Sequence, residues 1–181
     1  LKDEFGMNSN DFKFFAGHSL GEYSALVCSK SLKFNDALFL LHERGKAMQE
    51  AVPEGKGAMI AVLGSEIEII NQCILEIKKN KKEVCEIAND NAPGQIIVSG
   101  EIELINNLNI ALKNKKIKSI ILPVSAPFHC SLMLSAAEKM SDKIKKTNFL
   151  KPSIEILSNV TALPENEPEK IKKLLIEQIY S

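Results

Sequence analysis

The chain has 181 residues, 45% of them hydrophobic, which suffices to bury the core of one domain or of one domain with a small insert. Lysine plus arginine and aspartate plus glutamate both number 23, so no net field draws the chain to nucleic acid or to an anionic membrane. No apolar run approaches the roughly 20 residues of a bilayer span, and the opening LKDEFGMNSN lacks the basic start and apolar middle of a signal peptide.

In chain order, FKFFAG (12–17) is expected to form a short buried strand, with a helix directly after it in LGEYSALVCSK (20–30). A second helix is expected from Asn35 or Asp36, either of which can cap it, to about Val52. Pro53 and Gly55 close it. From residue 57 the rhythm changes. GAMIAVLG reads as a strand and EIEIINQCILEIKKN as an amphipathic helix. EVCEIAND and QIIVSGE read as two strands joined by the turn-rich NAPG. ELINNLNIALKNKK is a helix and SIILPVS a closing strand. That β-α-β-β-α-β order is the split βαβ arrangement of ferredoxin-like domains, and it spans residues 57–124 as an insert. APFHCS then reads as a loop, LMLSAAEKMSDKIKK as a helix, and PSIEILSNV as a strand rejoining the first sheet. EPEKIKKLLIEQIYS begins a last helix with Pro168 near its first turn. Residues 1–56 and 125–181 are thus expected to form a larger α/β subdomain.

The four cysteines, Cys28, Cys73, Cys85 and Cys130, lie far apart without a CxxC pair. Reduced thiols in a cytoplasmic protein are therefore expected, with no disulfide framework and no metal site.

The stretch GHSLG, residues 17–21, runs from strand directly to helix. This is the pattern of a nucleophile elbow, in which the serine occupies a strained turn. Flanking glycines are expected because side chains there would clash. The following helix aims its free N–H groups at the site where negative charge develops, and the backbone amide of Leu20 is the expected oxyanion donor. His18 is next to Ser19 in sequence but its side chain should point elsewhere, which makes it a structural residue.

Four blocks then fall in order along the whole chain: GHSLGEYSALV, ERGKAMQEAVPEGKGAMIAVLG, NAPGQIIVSG and LPVSAPFHCSLM. Together they resemble the malonyl-CoA:acyl-carrier-protein transacylases of the acyltransferase family. The resemblance implies an α/β-hydrolase-like core carrying a ferredoxin-like insert, in keeping with the order of elements. It implies that Ser19 accepts the acyl group, that His129 in PFHCS is its base, and that Arg44 in ERGKAMQ holds the malonyl carboxylate. Met48, Asn91 and Phe128 would line the substrate pocket, with Phe128 and Leu20 crowding the α-carbon so that malonyl is preferred over methylmalonyl. Core packing for Met48 and turn capping for Asn91 explain those two equally well.

Each principal role also has a chemical basis. A serine hydroxyl is a poor nucleophile until a hydrogen-bonded base takes its proton. Of three histidines, His42 lies within a helix and His129 on a loop, where sites gather. Arg44 is the only arginine in the chain. A site that needs a planar, always-charged group to grip a carboxylate through two parallel hydrogen bonds cannot use lysine. The plain alternative is an exposed helix arginine paired with Glu43 or with a glutamate a turn away. Cys130 beside His129 is expected to be a packed thiol.

The implied reaction moves a malonyl group from malonyl-CoA to Ser19 and then to the phosphopantetheine thiol of an acyl carrier protein. It needs no cofactor and fits a monomer. The resemblance also implies a glutamine-containing loop before residue 1 and a sheet-completing segment after Ser181, which would make the chain a central fragment. Two other readings stay open. One is a serine hydrolase or thioesterase with Asp90 or Asp142 as its acid. The other is a non-catalytic fragment that binds CoA or a carrier protein.

Overall fold

The computed structural model describes Glu4, Gly6, Asn8 and residues 11–181, so most of the opening LKDEFGMNSN lies outside the described residues. The chain divides into two units, residues 1–46 with 138–178, and residues 47–137 with 179–181.

The first unit holds a three-stranded sheet of β1 (Phe14–Phe15), β6 (Glu155–Leu157) and β7 (Pro164–Glu165). Strand β6 runs parallel to β1, with Phe14 opposite Glu155 and Phe15 opposite Ile156, and antiparallel to β7. Strand β1 is shorter than FKFFAG suggests and only half-buried, because the chain leaves the sheet for the turn at Gly17. Helix α1 (Gly21–Cys28) packs on β1 and β6 and buries Tyr23, Ala25 and Leu26. It stops in a left-handed residue, Lys30 at φ +63°, and the amides of Ser31 and Leu32 return to the Leu26 carbonyl. This closure normally uses glycine or asparagine. Helix α2 (Phe34–Ala51) starts one to two residues before the expected caps. The Ala37 amide already bonds to the Lys33 carbonyl, so Asn35 and Asp36 sit in the first turn instead of before it. Helices α5 (Leu134–Lys146, preceded by a 3₁₀ turn at Ser131–Met133) and α6 (Pro168–Glu177) complete the helical set, with Pro168 in the first turn of α6 as expected.

In the second unit β2 (Gly57–Leu63), α3 (Ile67–Ile77), β3 (Cys85–Ala92), β4 (Gln95–Glu101), α4 (Ile102–Asn114) and β5 (Lys118–Ile121) follow the expected β-α-β-β-α-β order. They form a sheet in the order β3-β4-β2-β5, antiparallel at every pairing. Alternation along β2 explains its fully apolar run. Ala58, Ile60 and Val62 face the core made with Ile70 and Cys73 of α3 and with Leu104, Ile105, Leu108 and Leu112 of α4. Met59 and Ala61 point to the other face, where Ala88 and Ile97 meet them and Leu122 and Phe128 cover them. Both faces are buried, so period-two polarity is absent.

Candidate active site

The elbow is built by the close approach of two backbone segments. A Cβ on Gly17 would lie 2.0 Å from the Gly21 carbonyl oxygen, a distance no side chain tolerates, whereas one on Gly21 would meet nothing within 4 Å. Only the first of the two expected glycine constraints is therefore steric. Ser19 takes φ +52°, the left-handed region that costs an L-residue about 1–2 kcal/mol. The amides of Gly21, Glu22 and Tyr23 donate back to the carbonyls of His18, Ser19 and Leu20, which tightens the first turn of α1. The Leu20 amide takes part in none of these bonds.

Arg44 is 6% exposed, so the exposed-helix alternative fails; Glu43 pairs with Lys143 instead, at 2.9 Å. Arg44 Nη2 donates to Ser19 Oγ and to Gln178 Oε1, each at 3.0 Å, while its Nε has no hydrogen-bond partner. Burial lowers the guanidinium pKa, and the charges of Tyr23 and Glu22 raise it back. Glu22, itself 3% exposed, accepts from Gln178 Nε2 at 2.6 Å and from the Asn159 amide at 3.4 Å. Burial pushes its carboxyl above the ordinary value of 4.5, and the bonds from Gln178 and Asn159 and the charge of Arg44 pull against that. The phenol of Tyr23, fully buried without a hydrogen-bond partner, is raised to about 12 by burial.

Gln178 also donates to the Ser19 carbonyl at 3.1 Å, and Asn159 Oδ1 accepts the Ser19 amide at 2.6 Å. Sequence reasoning missed Glu22, Asn159 and Gln178. Glu22 looks like any acid in a first helical turn, and Gln178 like the polar end of an amphipathic helix. Only the β1–β6 pairing brings Asn159 to the elbow.

The second unit carries His129, Phe128, Asn91 and Met48. His129 is 7% exposed and sits at φ +58° on a loop held down on both sides. Before it, the Pro127 ring fills the space a Cβ on Gly57 would need, 2.3 Å away, and Phe128 packs on the sheet. After it, the Ser131 amide and hydroxyl both donate to the Glu86 carboxylate at 2.7 Å. Cys130 is packed, as expected, with its thiol donating to the Pro127 carbonyl and its pKa pushed up to about 11 by burial. Asn91 is exposed at an irregularity of β3, between Asp90 opposite Ile96 and Ala92 opposite Gln95. Met48 is buried, one turn beyond Arg44 on α2. Of the alternative acids, Asp90 lines a cavity of about 400 Å³ with Ser65 and Pro93, and Asp142 lies on α5. Among the described residues no cluster of histidine, cysteine, aspartate and glutamate is placed to hold a metal, and no helix is long and apolar enough to cross a membrane.

Comparison with known proteins adds a family. The model of the acyl transferase domain matches residues 8–177. The malonyl CoA-acyl carrier protein transacylase of Bacillus subtilis strain 168 is 43% identical over 171 residues, which are 93% of this chain and 53% of that protein. Among solved structures, an acyl carrier protein S-malonyltransferase from Vibrio cholerae superposes with a TM-score of 0.92 at 38% identity, covering 99% of this chain and 58% of that one. A malonyl-transacylase solved in complex with its type II PKS acyl-carrier protein gives a TM-score of 0.89 at 39% identity, covering 93% and 54%. The chain spans about half the length of the curated relatives it matches.

Proposed function

The chain belongs to the acyl transferase domain family, and on that premise we propose that it carries a malonyl group on Ser19 between malonyl-CoA and the phosphopantetheine thiol of an acyl carrier protein. One observation carries the reading: the buried guanidinium of Arg44 lies 3.0 Å from the Ser19 hydroxyl. A neutral acyl chain offers a desolvated cation beside the serine no counter-charge. A diacid donor gives that cation a carboxylate to hold, through the planar geometry lysine lacks. The names of the relatives, and the relative solved with an acyl-carrier protein, support the same donor and acceptor.

In the first half-reaction His129 takes the Ser19 proton and Oγ attacks the thioester carbonyl. The Leu20 amide, not engaged in the first helical turn, stabilises the oxyanion. The C–S bond breaks, and CoA leaves as the thiol with the proton that His129 returns. In the second, the carrier thiol gives its proton to His129 and attacks the serine ester, and Ser19 leaves with that proton restored. Met48, Asn91 and Phe128 are assigned to the pocket. Residues 57–124 serve as the small subdomain, and 1–56 with 125–181 as the large one.

The test is intact-mass and peptide analysis after brief exposure of the full-length protein to malonyl-CoA, with and without acyl carrier protein. One malonyl group on the Ser19 peptide, discharged by the carrier and missing in Ser19→Ala, is expected. A label that persists in Ser19→Ala overturns the reading.

A further inference from the structure

The β1–β6 ladder consists of two pairs, Phe14 opposite Glu155 and Phe15 opposite Ile156. Continued at the same offset, the register sets His18 opposite Asn159. There the chain turns out of the sheet at Gly17, and backbone pairing no longer holds the two segments. Asn159 takes its place with a side chain. Its Nδ2 donates to the Gly17 carbonyl at 2.8 Å, and its Oδ1 accepts the Ser19 amide at 2.6 Å. Those are the two groups flanking His18, the pair that a parallel partner residue engages with its own N–H and C=O. A carboxamide offers the same donor and acceptor as a peptide unit. No other residue type of that length supplies both at neutral pH.

We propose that Asn159 is a positioning residue for Ser19: its carboxamide acts as a surrogate peptide unit that extends the sheet by one rung and fixes the left-handed backbone of the nucleophile. The inference rests on Ser19 being the acylated residue. Two consequences follow from the geometry. The Ser19 amide is committed to Asn159, which leaves the next amide, that of Leu20, to face the developing oxyanion. The φ of +52° at Ser19 is held from both sides of His18, so its cost is met by bonds made before any substrate arrives. Gln178 Nε2 approaches the same Oδ1 at 3.3 Å, and Glu22 Oε2 accepts the Asn159 amide at 3.4 Å, so Asn159 also joins the elbow to the buried network around Arg44.

The experiment measures the rate at which a fluorophosphonate probe labels Ser19 in the full-length protein, in wild type, Asn159→Ala and Asn159→Asp, each well below its melting temperature. Asn159→Ala is expected to label about ten- to a hundredfold more slowly, the scale of losing two hydrogen bonds. In Asn159→Asp the introduced carboxylate still accepts from the Ser19 amide but sets an oxygen against the Gly17 carbonyl. On protonation it regains a donor. Its rate relative to wild type is therefore expected to climb as pH falls from about 8 to 5, toward the carboxyl range. Glu22 and Arg44 are the charged groups nearest through the hydrogen-bond network, and Glu22 couples to a carboxylate at 159, so the ratio is measured in a Glu22→Gln background as well, where the climb is expected to persist. A merely structural asparagine gives no such recovery. Wild-type rates in both variants, or an Asn159→Asp ratio flat with pH, overturn the proposal while leaving Ser19 as nucleophile. Failure of wild type to label at all removes the nucleophile reading, and this one with it.

Discussion

Replacing Arg44 by alanine separates an enzyme for a diacid from a general acyl-serine enzyme. Two effects have to be distinguished. Arg44 Nη2 makes 3.0 Å bonds to Ser19 Oγ and Gln178 Oε1, and these are lost whatever donor is offered. Bonds to a charged group are worth about 1.5–3 kcal/mol each, so acetyl transfer is expected to be disturbed as well. A malonyl donor suffers a second loss. At a position only 6% exposed, its carboxylate is left without a counter-charge. Breaking a buried pair in this way costs about 3–5 kcal/mol. At about 1.4 kcal/mol per tenfold, the preference for malonyl over acetyl should fall by about a hundred- to several-thousandfold. The assay is kcat/KM for malonyl-CoA and acetyl-CoA on wild type, Arg44→Ala and Arg44→Lys. The lysine variant should restore part of the preference, since an ammonium supplies charge without the planar two-pronged grip. Equal losses for both donors in Arg44→Ala would refute the reasoning and reduce Arg44 to a support for Ser19.

His129→Ala should slow acylation of Ser19 by about two to four orders of magnitude, the usual worth of a positioned base, and single-turnover kinetics that match wild type would remove it from the mechanism. Gly17→Ala should lower the melting temperature far more than Gly21→Ala, because only the first introduces a Cβ against backbone, 2.0 Å from the Gly21 oxygen; equal melting temperatures would mean that the elbow opens freely. Burial raises the folded-state pKa of Glu22 above 4.5, so the folded protein keeps a proton that the unfolded chain has released. The resulting stability is present in full below 4.5 and is lost as pH rises through the folded value. Glu22→Gln should therefore flatten the pH dependence of denaturant unfolding above pH 4.5, and an unaltered slope would exclude Glu22 as its source.

The second unit was legible because its signals are local. Ile60 and Val62 against Met59 and Ala61 give a strand buried on both faces, and the spacing of Leu104, Leu108 and Leu112 gives a helix face. The turn at Ser19 was legible from its glycines, and Arg44 stood out as the lone guanidinium of a lysine-rich chain. The partners of these residues were not. Asn159 and Ser19 are 140 positions apart, and Gln178 and Ser19 are 159 apart. No periodicity links polar residues at such separations; the link exists only once β6 pairs with β1. The left-handed turns at Lys30 and Lys116 were equally silent, because lysine carries none of the turn signal of glycine. The two-residue strand β7 was missed because Pro164 and Glu165 have no strand propensity of their own.

The same separation governs the order in which the chain can assemble. Every strand of the four-stranded sheet lies between Gly57 and Ile121, so its pairings close short loops and require no strand made later. Strand β1, although it precedes them all, pairs among the described residues only with β6. The pairing of Phe14 and Phe15 waits for Glu155 and Ile156 to be made, and high contact order makes it slow when it comes. The turn at Ser19 thus takes its final form only after the sheet that follows it in sequence. Stalled nascent chains ending between β5 and β6 would show this as protease resistance over 57–121 with cleavage near Ser19.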